Sequence, residues 1–316
     1  MLSVMDKRFF LLITFLAWAA FGCAATSHPS APAQLGVARS SAELDALVDQ
    51  PGPISVETLS AATWEVDLSG LLNLEHPAAK AAKLVDKAEP IHLFVHVIRH
   101  PQRGTFIVDS GVERAFAEDP PHALISGLLG SVAHVDRLHT CLDTLSLLKR
   151  TGPLSGVLLT HLHTDHVLGL RDVPANTPIY VGPGDAQEHS FMNLLTRGVY
   201  DDALEHKGAL RELRFEPDAA GRFAGARDLF GDGSFWALWL PGHTPGSIAY
   251  VARTPNGPVL LTGDVSHTAW GWQHGVEPGS FSDDRAQSAD SFKRLQSFAR
   301  QHPALEVRLG HQALTG

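Results

Sequence analysis

The sequence predicts an α/β fold in which two β-sheets pack against each other and helices cover both outer faces. Short apolar runs of strand-forming residues alternate with segments of helical spacing along the 316-residue chain. Histidine and aspartate side chains gather on the segments that follow several of these predicted strands. This order of elements, with polar clusters on the loops after strands, favours a layered sandwich of sheets and helices.

Residues 1–22 have the pattern of a secretory signal peptide. Lys7 and Arg8 precede an apolar run over residues 9–20, which is too short to cross about 30 Å of bilayer hydrocarbon. The four residues that end at Cys23, Ala-Phe-Gly-Cys, resemble a bacterial lipobox, although alanine stands where leucine is usual. We therefore expect export, either as a periplasmic or membrane-anchored lipoprotein or, after ordinary cleavage a few residues later, as a secreted protein.

The composition of residues 23–45, rich in Ala, Ser and Pro, predicts a flexible tether between the N-terminal segment and the fold. The chain contains two cysteines. If Cys23 is used for cleavage or lipid attachment, Cys141 has no disulfide partner, and its helix-like apolar surroundings predict a small buried residue.

The elements of the remaining chain are predicted in order. Two strands, residues 91–98 and 104–111, are separated by a His-Pro-Gln-Arg turn and form a hairpin. Asp109, near the end of the second strand, is either a turn residue or the partner of a metal-binding histidine. The other predicted elements are a helix near 135–150, a strand from Val157, a helix at 184–189, strands at 235–240, 247–252 and 258–262, and a helix at 288–300.

Four metal-binding side chains lie within six positions directly after the Val157 strand: His161, His163, Asp165 and His166. Residues two apart in an extended segment project to the same face, so the first two histidines can bind one cation together. The turn that follows carries the second pair towards a neighbouring position. Imidazole and carboxylate ligands suit zinc best, with iron, manganese or cobalt as alternatives. Three other histidines, His189, His206 and His302, lack such a context and are predicted to lie on the surface.

The run His-Leu-His-Thr-Asp-His resembles the His-x-His-x-Asp-His motif of the metallo-β-lactamase superfamily. Further motifs of that superfamily follow in order: Pro-Gly-His-Thr-Pro-Gly with His243, Leu-Thr-Gly-Asp with Asp264, and Leu-Gly-His with His311. The resemblance covers about residues 90–316. It implies a four-layer αββα sandwich and a single catalytic domain, which we place at residues 46–316.

The resemblance also implies a dinuclear metal centre. His161, His163 and His243 would bind the first cation, and Asp165, His166 and His311 the second. Asp264 would bridge the two cations, which we expect to be Zn²⁺. A bridging hydroxide would then attack the substrate, so hydrolysis is the expected reaction. Asp165, Asp264 or a nearby histidine, with His267 as the candidate, would carry the proton to the leaving group.

The segment between the last two ligands, residues 265–281, is dense in aromatic and imidazole groups and could line a substrate pocket. Trp270 and Trp272 would contact an acyl chain, and His267 or His274 a carbonyl or leaving oxygen. The alternative is that both tryptophans fill the edge of the sandwich.

The motifs look most like those of N-acyl-homoserine lactonases, so lactone opening is the expected activity. One departure concerns the substrate: those lactonases commonly carry tyrosine three residues after the bridging aspartate, where this chain has His267. The alternatives are hydrolysis of another ester, a β-lactam or a phosphodiester, or zinc binding without turnover.

The formal charge of −9 and the lack of Lys/Arg runs argue against a nucleic-acid partner, so a small molecule is the expected partner. The sequence does not predict an oligomeric state.

Overall fold

A computed structural model describes residues 23–190 and 193–314. The strands are β1 Cys23–Ala24, β2 Ser30–Pro32, β3 Val37–Ala38, β4 Ser55–Asp67, β5 Ala88–His100, β6 Gly104–Val108, β7 His139–Thr140, β8 Gly156–Leu158, β9 Ile179–Val181, β10 His189–Ser190, β11 Leu210–Glu212, β12 Gly225–Asp228, β13 Phe235–Trp239, β14 Ile248–Thr254, β15 Gly257–Leu261 and β16 Glu306–Arg308. The α-helices are α1 Ser41–Leu47, α2 Leu68–Leu71, α3 Pro77–Ala81, α4 Ala115–Glu118, α5 Gly127–Val132, α6 Thr144–Thr151, α7 Thr164–Val167, α8 Asn193–Ala203, α9 Ala269–His274 and α10 Arg285–Gln301. The predicted signal peptide lies outside the described residues.

Two large sheets dominate the architecture. One has eight strands in the order β2-β11-β9-β8-β6-β5-β4-β7, and the other has six in the order β16-β15-β14-β13-β12-β3. A separate two-stranded ribbon joins β1 to β10. The predicted hairpin is present, because β5 and β6 pair antiparallel from His96 opposite Val108 to His100 opposite Gly104.

The apolar side chains fall into layers that match the predicted sandwich. Between the sheets, Ile98 and Phe106 of the first sheet belong to the same buried cluster as Phe235 and Tyr250 of the second. On the outer face of the second sheet, Trp236 belongs to a cluster that also contains side chains of α1 and α10. The outer face of the first sheet is covered in the same way by side chains of α6, α7 and α8. The order of layers is therefore helix, sheet, sheet, helix, as predicted.

The segment 23–45 differs from the predicted tether. Its strands β1, β2 and β3 pair with β10, β11 and β12, and its helix α1 buries Leu44. These pairings satisfy backbone groups that a flexible linker would leave to water. The segment was predicted to be mobile because residues such as Ala, Ser and Pro offer little apolar side-chain area to bury. The backbone hydrogen bonds that anchor it depend little on the identity of the side chains.

The predicted helix at 135–150 is interrupted: a 3₁₀ turn covers Val135–Arg137, and the α-helix α6 begins at Thr144. Asp143 is its N-cap and accepts a hydrogen bond from the backbone N–H of Ser146 at 2.9 Å, so the helix begins after it. Cys141 therefore precedes the helix and is exposed, and the prediction that it is buried is wrong. The predicted helix at 184–189 is a single 3₁₀ turn, Asp185–Gln187, followed by β10.

The C-terminal elements follow the prediction closely. Strands β13, β14 and β15 lie where apolar runs predicted them, and α10 contains the predicted helix at 288–300. His302, predicted to be a surface residue, is instead buried after the end of α10, where its ring nitrogens lie 2.8 Å from Asp49 and 3.2 Å from Asp45. In the described part of the chain, we find no helix with the length and apolar character needed to cross a membrane.

Candidate metal centre

The seven predicted ligands lie on four loops, and each loop follows a strand. His161, His163, Asp165 and His166 come after β8 and enter the short helix α7, whereas His243 follows β13, Asp264 follows β15 and His311 follows β16. Because β8 belongs to the first sheet and the other three strands to the second, the site forms where the ends of the two sheets meet.

The first predicted ligand group is assembled from three histidines. Nε2 of His243 lies 3.1 Å from Nε2 of His161 and 3.0 Å from Nδ1 of His163. The ligand atoms of these three side chains form a group compact enough to hold one cation. Three imidazole nitrogens that converge in this way are a common protein ligand set for Zn²⁺.

The second group contains two histidines and two carboxylates. Nε2 of His311 lies 3.2 Å from Oδ2 of Asp165 and 3.2 Å from Oδ2 of Asp264. Nε2 of His166 lies 3.4 Å and 3.3 Å from the same two oxygens. These four side chains also form a compact set of possible ligands.

Asp264 faces both groups. Its Oδ2 lies 3.5 Å from Nε2 of His243 and 3.7 Å from Nε2 of His161, in addition to its contacts with the second group. A carboxylate between two cations lowers their mutual repulsion, so Asp264 is in the position that a bridging ligand requires.

Contacts made by Nδ1 hold three of the histidine rings in an orientation that directs Nε2 into the site. Nδ1 of His166 is 2.8 Å from Oδ2 of Asp109, and Nδ1 of His311 is 2.9 Å from the carbonyl oxygen of His92. These acceptors hold a proton on Nδ1, so the lone pair that Nε2 carries in the neutral ring is directed into the site. Nδ1 of His161 is similarly 3.1 Å from Oγ1 of Thr160. Metal-binding histidines usually have such partners.

The pKa values of the histidines differ between the first and the second ligand group. Burial lowers the pKa of His161 and His243 well below the usual range and that of His163 to about 4, so these rings are neutral near pH 7. Burial also opposes the charged form of His311, but the carboxylates of Asp264 and Asp165 outweigh it and raise the pKa to about 10.

Two buried polar atoms of the site lack a hydrogen-bond partner, which indicates that a cation fits there. Oδ1 of Asp264 and Nε2 of His267 are buried and have no hydrogen-bond partner among the described residues. Such atoms are costly unless another group satisfies them. Because the nearby atoms are lone-pair donors and carboxylate oxygens, a metal ion satisfies this set better than a further protein group.

Two glycines allow the backbone to come close to the ligands. Gly242 precedes His243 and has φ +134°, and a side chain there would clash with the backbone of Ser288 in α10. Gly310 precedes His311, and a Cβ atom there would overlap the carboxylate of Asp264. Glycine is therefore required for steric reasons at both positions, and at Gly242 the backbone conformation favours it as well.

The predicted pocket residues are distributed differently. His267 lies at the metal-ligand cluster, with Nε2 3.1 Å from Oδ2 of Asp264. Trp270 stacks on the exposed His274 with ring centroids 4.2 Å apart. Trp272 instead packs edge-on against the buried Phe292 of α10, as the core alternative predicted. The structure therefore brings His267, but not Trp272, to the candidate centre.

Asp185 supports the site but was not singled out from the sequence. Its carboxylate accepts hydrogen bonds from the backbone N–H groups of Leu162, at 3.0 Å, and Gly246, at 2.6 Å. It thereby links the loop of His161 and His163 to the loop of His243. No local motif marks this residue, since its partners lie 23 and 61 positions away.

The model of the metallo-beta-lactamase superfamily matches residues 93–311, which include all seven candidate ligands. The chain belongs to the metallo-β-lactamase superfamily. It is therefore a metal-dependent hydrolase, and the predicted family, fold and general type of reaction are confirmed.

Two curated relatives are similar to a large part of the chain. Gamma-lactamase MBL2 of Gibberella moniliformis (strain M3125 / FGSC 7600) is 32% identical over 173 residues, which cover 51% of this chain and 70% of the relative. N-acyl homoserine lactonase AttM of Agrobacterium fabrum (strain C58 / ATCC 33970) is 28% identical over 234 residues, which cover 70% of this chain and 81% of the relative.

A solved structure of a quorum-quenching N-acyl homoserine lactone lactonase has the same fold as this superfamily member. The two superimpose with a TM-score of 0.57 at 19% identity, over 83% of this chain and 93% of the other. The match supports the four-layer arrangement of sheets and helices.

Proposed function

We propose that this hydrolase opens the ring of a cyclic ester, with N-acyl-homoserine lactones as the substrate class. The observation that carries the proposal is the pair of ligand groups that share the carboxylate of Asp264. The similarity to N-acyl homoserine lactonase AttM over 70% of the chain supports the lactone as substrate.

The metal chemistry requires two cations side by side. We propose that His161, His163 and His243 hold one, that Asp165, His166 and His311 hold the other, and that Asp264 contacts both. Zn²⁺ is the proposed metal, with iron, manganese and cobalt as alternatives. Divalent cations in such a site lower the pKa of bound water and polarise the carbonyl under attack.

Ring opening also requires a proton transfer. Hydroxide adds to the lactone carbonyl carbon, the ring C–O bond breaks, and the proton that the hydroxide brought moves to the ring oxygen, which leaves a carboxylate and an alcohol. Asp165 and Asp264 are the carboxylates of the site, and their side chains are 19% and 4% exposed. We propose Asp165 as the proton carrier, because it is more accessible to water and substrate than Asp264.

A γ-lactam is the second candidate substrate. Gamma-lactamase MBL2 is 32% identical to this chain, and a γ-lactam shares the five-membered ring and carbonyl of a homoserine lactone. The same site could open either ring, but the amide nitrogen is a poorer leaving group than the ester oxygen and depends more strongly on protonation.

The surroundings of the ligands disfavour a phosphodiester. Among the hydrogen bonds and ion pairs of the described residues, those of the seven ligands involve no Lys or Arg side chain. Phosphate recognition usually uses such cations. A substrate with one carbonyl to be polarised suits the site better.

A panel of substrates tests the proposal. Zinc-loaded protein should hydrolyse an N-acyl-homoserine lactone faster, by kcat/KM, than a γ-lactam, a β-lactam, a thioester and a phosphodiester. Faster hydrolysis of the γ-lactam would replace the lactone with the second candidate. Two bound cations without turnover of the lactone would contradict the proposed substrate.

We also propose that the protein is exported and is linked to a membrane by a lipid on Cys23. The charge and apolar pattern of residues 1–22 support this proposal. Mass spectrometry of the mature N-terminus in a bacterial host should show a lipid-modified Cys23. An unmodified N-terminus a few residues later would indicate secretion, and retention of residues 1–22 would contradict export.

A further inference from the structure

His267 is placed and oriented in the same way as a metal-binding histidine. It follows Asp264 by three positions and is 2% exposed. Its Nδ1 lies 2.9 Å from the carbonyl oxygen of Leu71. Because a carbonyl oxygen only accepts hydrogen bonds, Nδ1 must carry the proton, and the lone pair of the neutral ring is then on Nε2.

The lone pair of His267 points into the metal-ligand cluster. Nε2 lies 3.1 Å from Oδ2 of Asp264 and makes no hydrogen bond to any described residue. The ring centroid of His267 lies 5.0 Å from that of His243. These three side chains form a third set of atoms compact enough to hold a cation. A buried, unpaired nitrogen in this position calls for a ligand.

His267 and the candidate ligand His311 have similar surroundings. Both rings are buried, both direct Nδ1 to a backbone carbonyl, and both place Nε2 close to Oδ2 of Asp264, at 3.1 Å for His267 and 3.2 Å for His311. Their rings are nearly parallel, with an angle of 11° and a centroid distance of 5.6 Å. His267 therefore shares with His311 its burial, the carbonyl acceptor at Nδ1 and the approach of Nε2 to Asp264.

We propose that His267 is an eighth protein ligand, which binds through Nε2 the cation held by His161, His163 and His243. This inference rests on the proposed metal centre but not on the identity of the substrate. The first cation would then have four imidazole ligands as well as Asp264. The second, with fewer nitrogen ligands, would remain the more open position for the substrate.

The test compares His267→Phe and His267→Gln with the wild-type protein. Phenylalanine removes both ring nitrogens, whereas glutamine retains an N–H group that can donate to Leu71. His139→Gln is the matched control, because His139 is an exposed histidine outside the cluster. Thermal unfolding of the metal-free proteins shows whether each variant folds. Zn²⁺ affinity is measured by competition with a chromophoric chelator, and coordination by the absorption spectrum of the Co²⁺-loaded protein.

Both His267 variants should bind one of the two Zn²⁺ ions more weakly, with a dissociation constant raised about tenfold or more. The Co²⁺ spectrum should change because one nitrogen ligand is lost, and the control should match the wild type in both measurements. Unchanged affinity and spectrum in a folded variant would overturn the assignment of His267 alone. Failure of the wild type to bind two cations would instead overturn the proposed metal centre.

Discussion

Asp109 holds the ring of His166 in its orientation through a hydrogen bond of 2.8 Å from Nδ1 to Oδ2. The other carboxylate oxygen of Asp109 accepts the backbone N–H of Thr160 at 2.8 Å. Asp109 has φ +59°, a conformation uncommon outside glycine but tolerated by Asp and Asn. The residue therefore connects the end of β6 to the loop that carries four of the candidate ligands.

Asp109→Ala should weaken metal binding by about 10–100-fold, the usual effect of losing a residue that orients a ligand. Without the carboxylate, Nδ1 of His166 loses its shortest hydrogen bond and keeps the longer contact of 3.2 Å with Oγ1 of Thr160, so the ring is held less firmly. Chelator competition with Zn²⁺ measures the effect. Asp109→Asn, which keeps an acceptor and suits the backbone conformation, should bind metal better than Asp109→Ala. Equal affinity of wild type and Asp109→Ala would show that the contact does not support the site.

Gly310→Ala should disrupt the centre, because the added Cβ atom would overlap the carboxylate of Asp264. We expect lower Zn²⁺ stoichiometry or affinity and a corresponding loss of turnover. Gly208→Ala is the control, since a Cβ atom at Gly208 meets no atom within 4 Å. Elemental analysis of both purified variants provides the comparison. If Gly310→Ala retains the metal content of Gly208→Ala, the close approach to Asp264 is not important.

Asp264→Ala should lower kcat/KM by about a hundredfold or more, the scale at which loss of one electrostatic group in an active site acts. The carboxylate is the contact shared by both ligand groups, whereas the apolar core lies elsewhere. The variant should therefore keep its far-ultraviolet circular dichroism spectrum. Full turnover by a folded Asp264→Ala protein would show that no bridging carboxylate is needed.

Stability should fall at acidic pH in part because of His96. Burial, with a smaller contribution from the positive charge of Arg308, lowers the pKa of His96 to about 3. Between about pH 6.5 and pH 3, the unfolded chain binds a proton at His96 that the native protein does not, so this residue destabilises the native state as the pH falls.

Urea unfolding of the wild type and His96→Gln tests this assignment. Relative to the variant, the free energy of unfolding of the wild type should decrease by about 1.4 kcal/mol for each pH unit below 6.5. A difference between the two proteins that is constant from pH 7 to pH 4.5 would show that His96 titrates normally.

The candidate ligands could be proposed from the sequence because their motifs are local, and the structure brings all seven together. Four of them share one turn, and Gly242 and Gly310 each stand next to a ligand at a position where a Cβ atom would clash. Strands β13 to β15 were predicted by apolar runs, and they are buried along most of their length.

The features that the sequence did not predict depend on distant neighbours. Strand β2 pairs in parallel with β11, so that Ser30 lies opposite Leu210, and composition alone suggested a flexible segment there. His302 is buried because Asp45 and Asp49 of the N-terminal region pair with it. Trp272 faces Phe292 instead of a pocket because α10 packs beside α9. No local pattern contains this information.

Metal stoichiometry tests the central claim most directly. Elemental analysis of the purified wild-type protein, supplied with Zn²⁺ and freed of loosely bound ions, should give close to two equivalents of metal per chain. One equivalent or none would contradict the dinuclear centre built around Asp264.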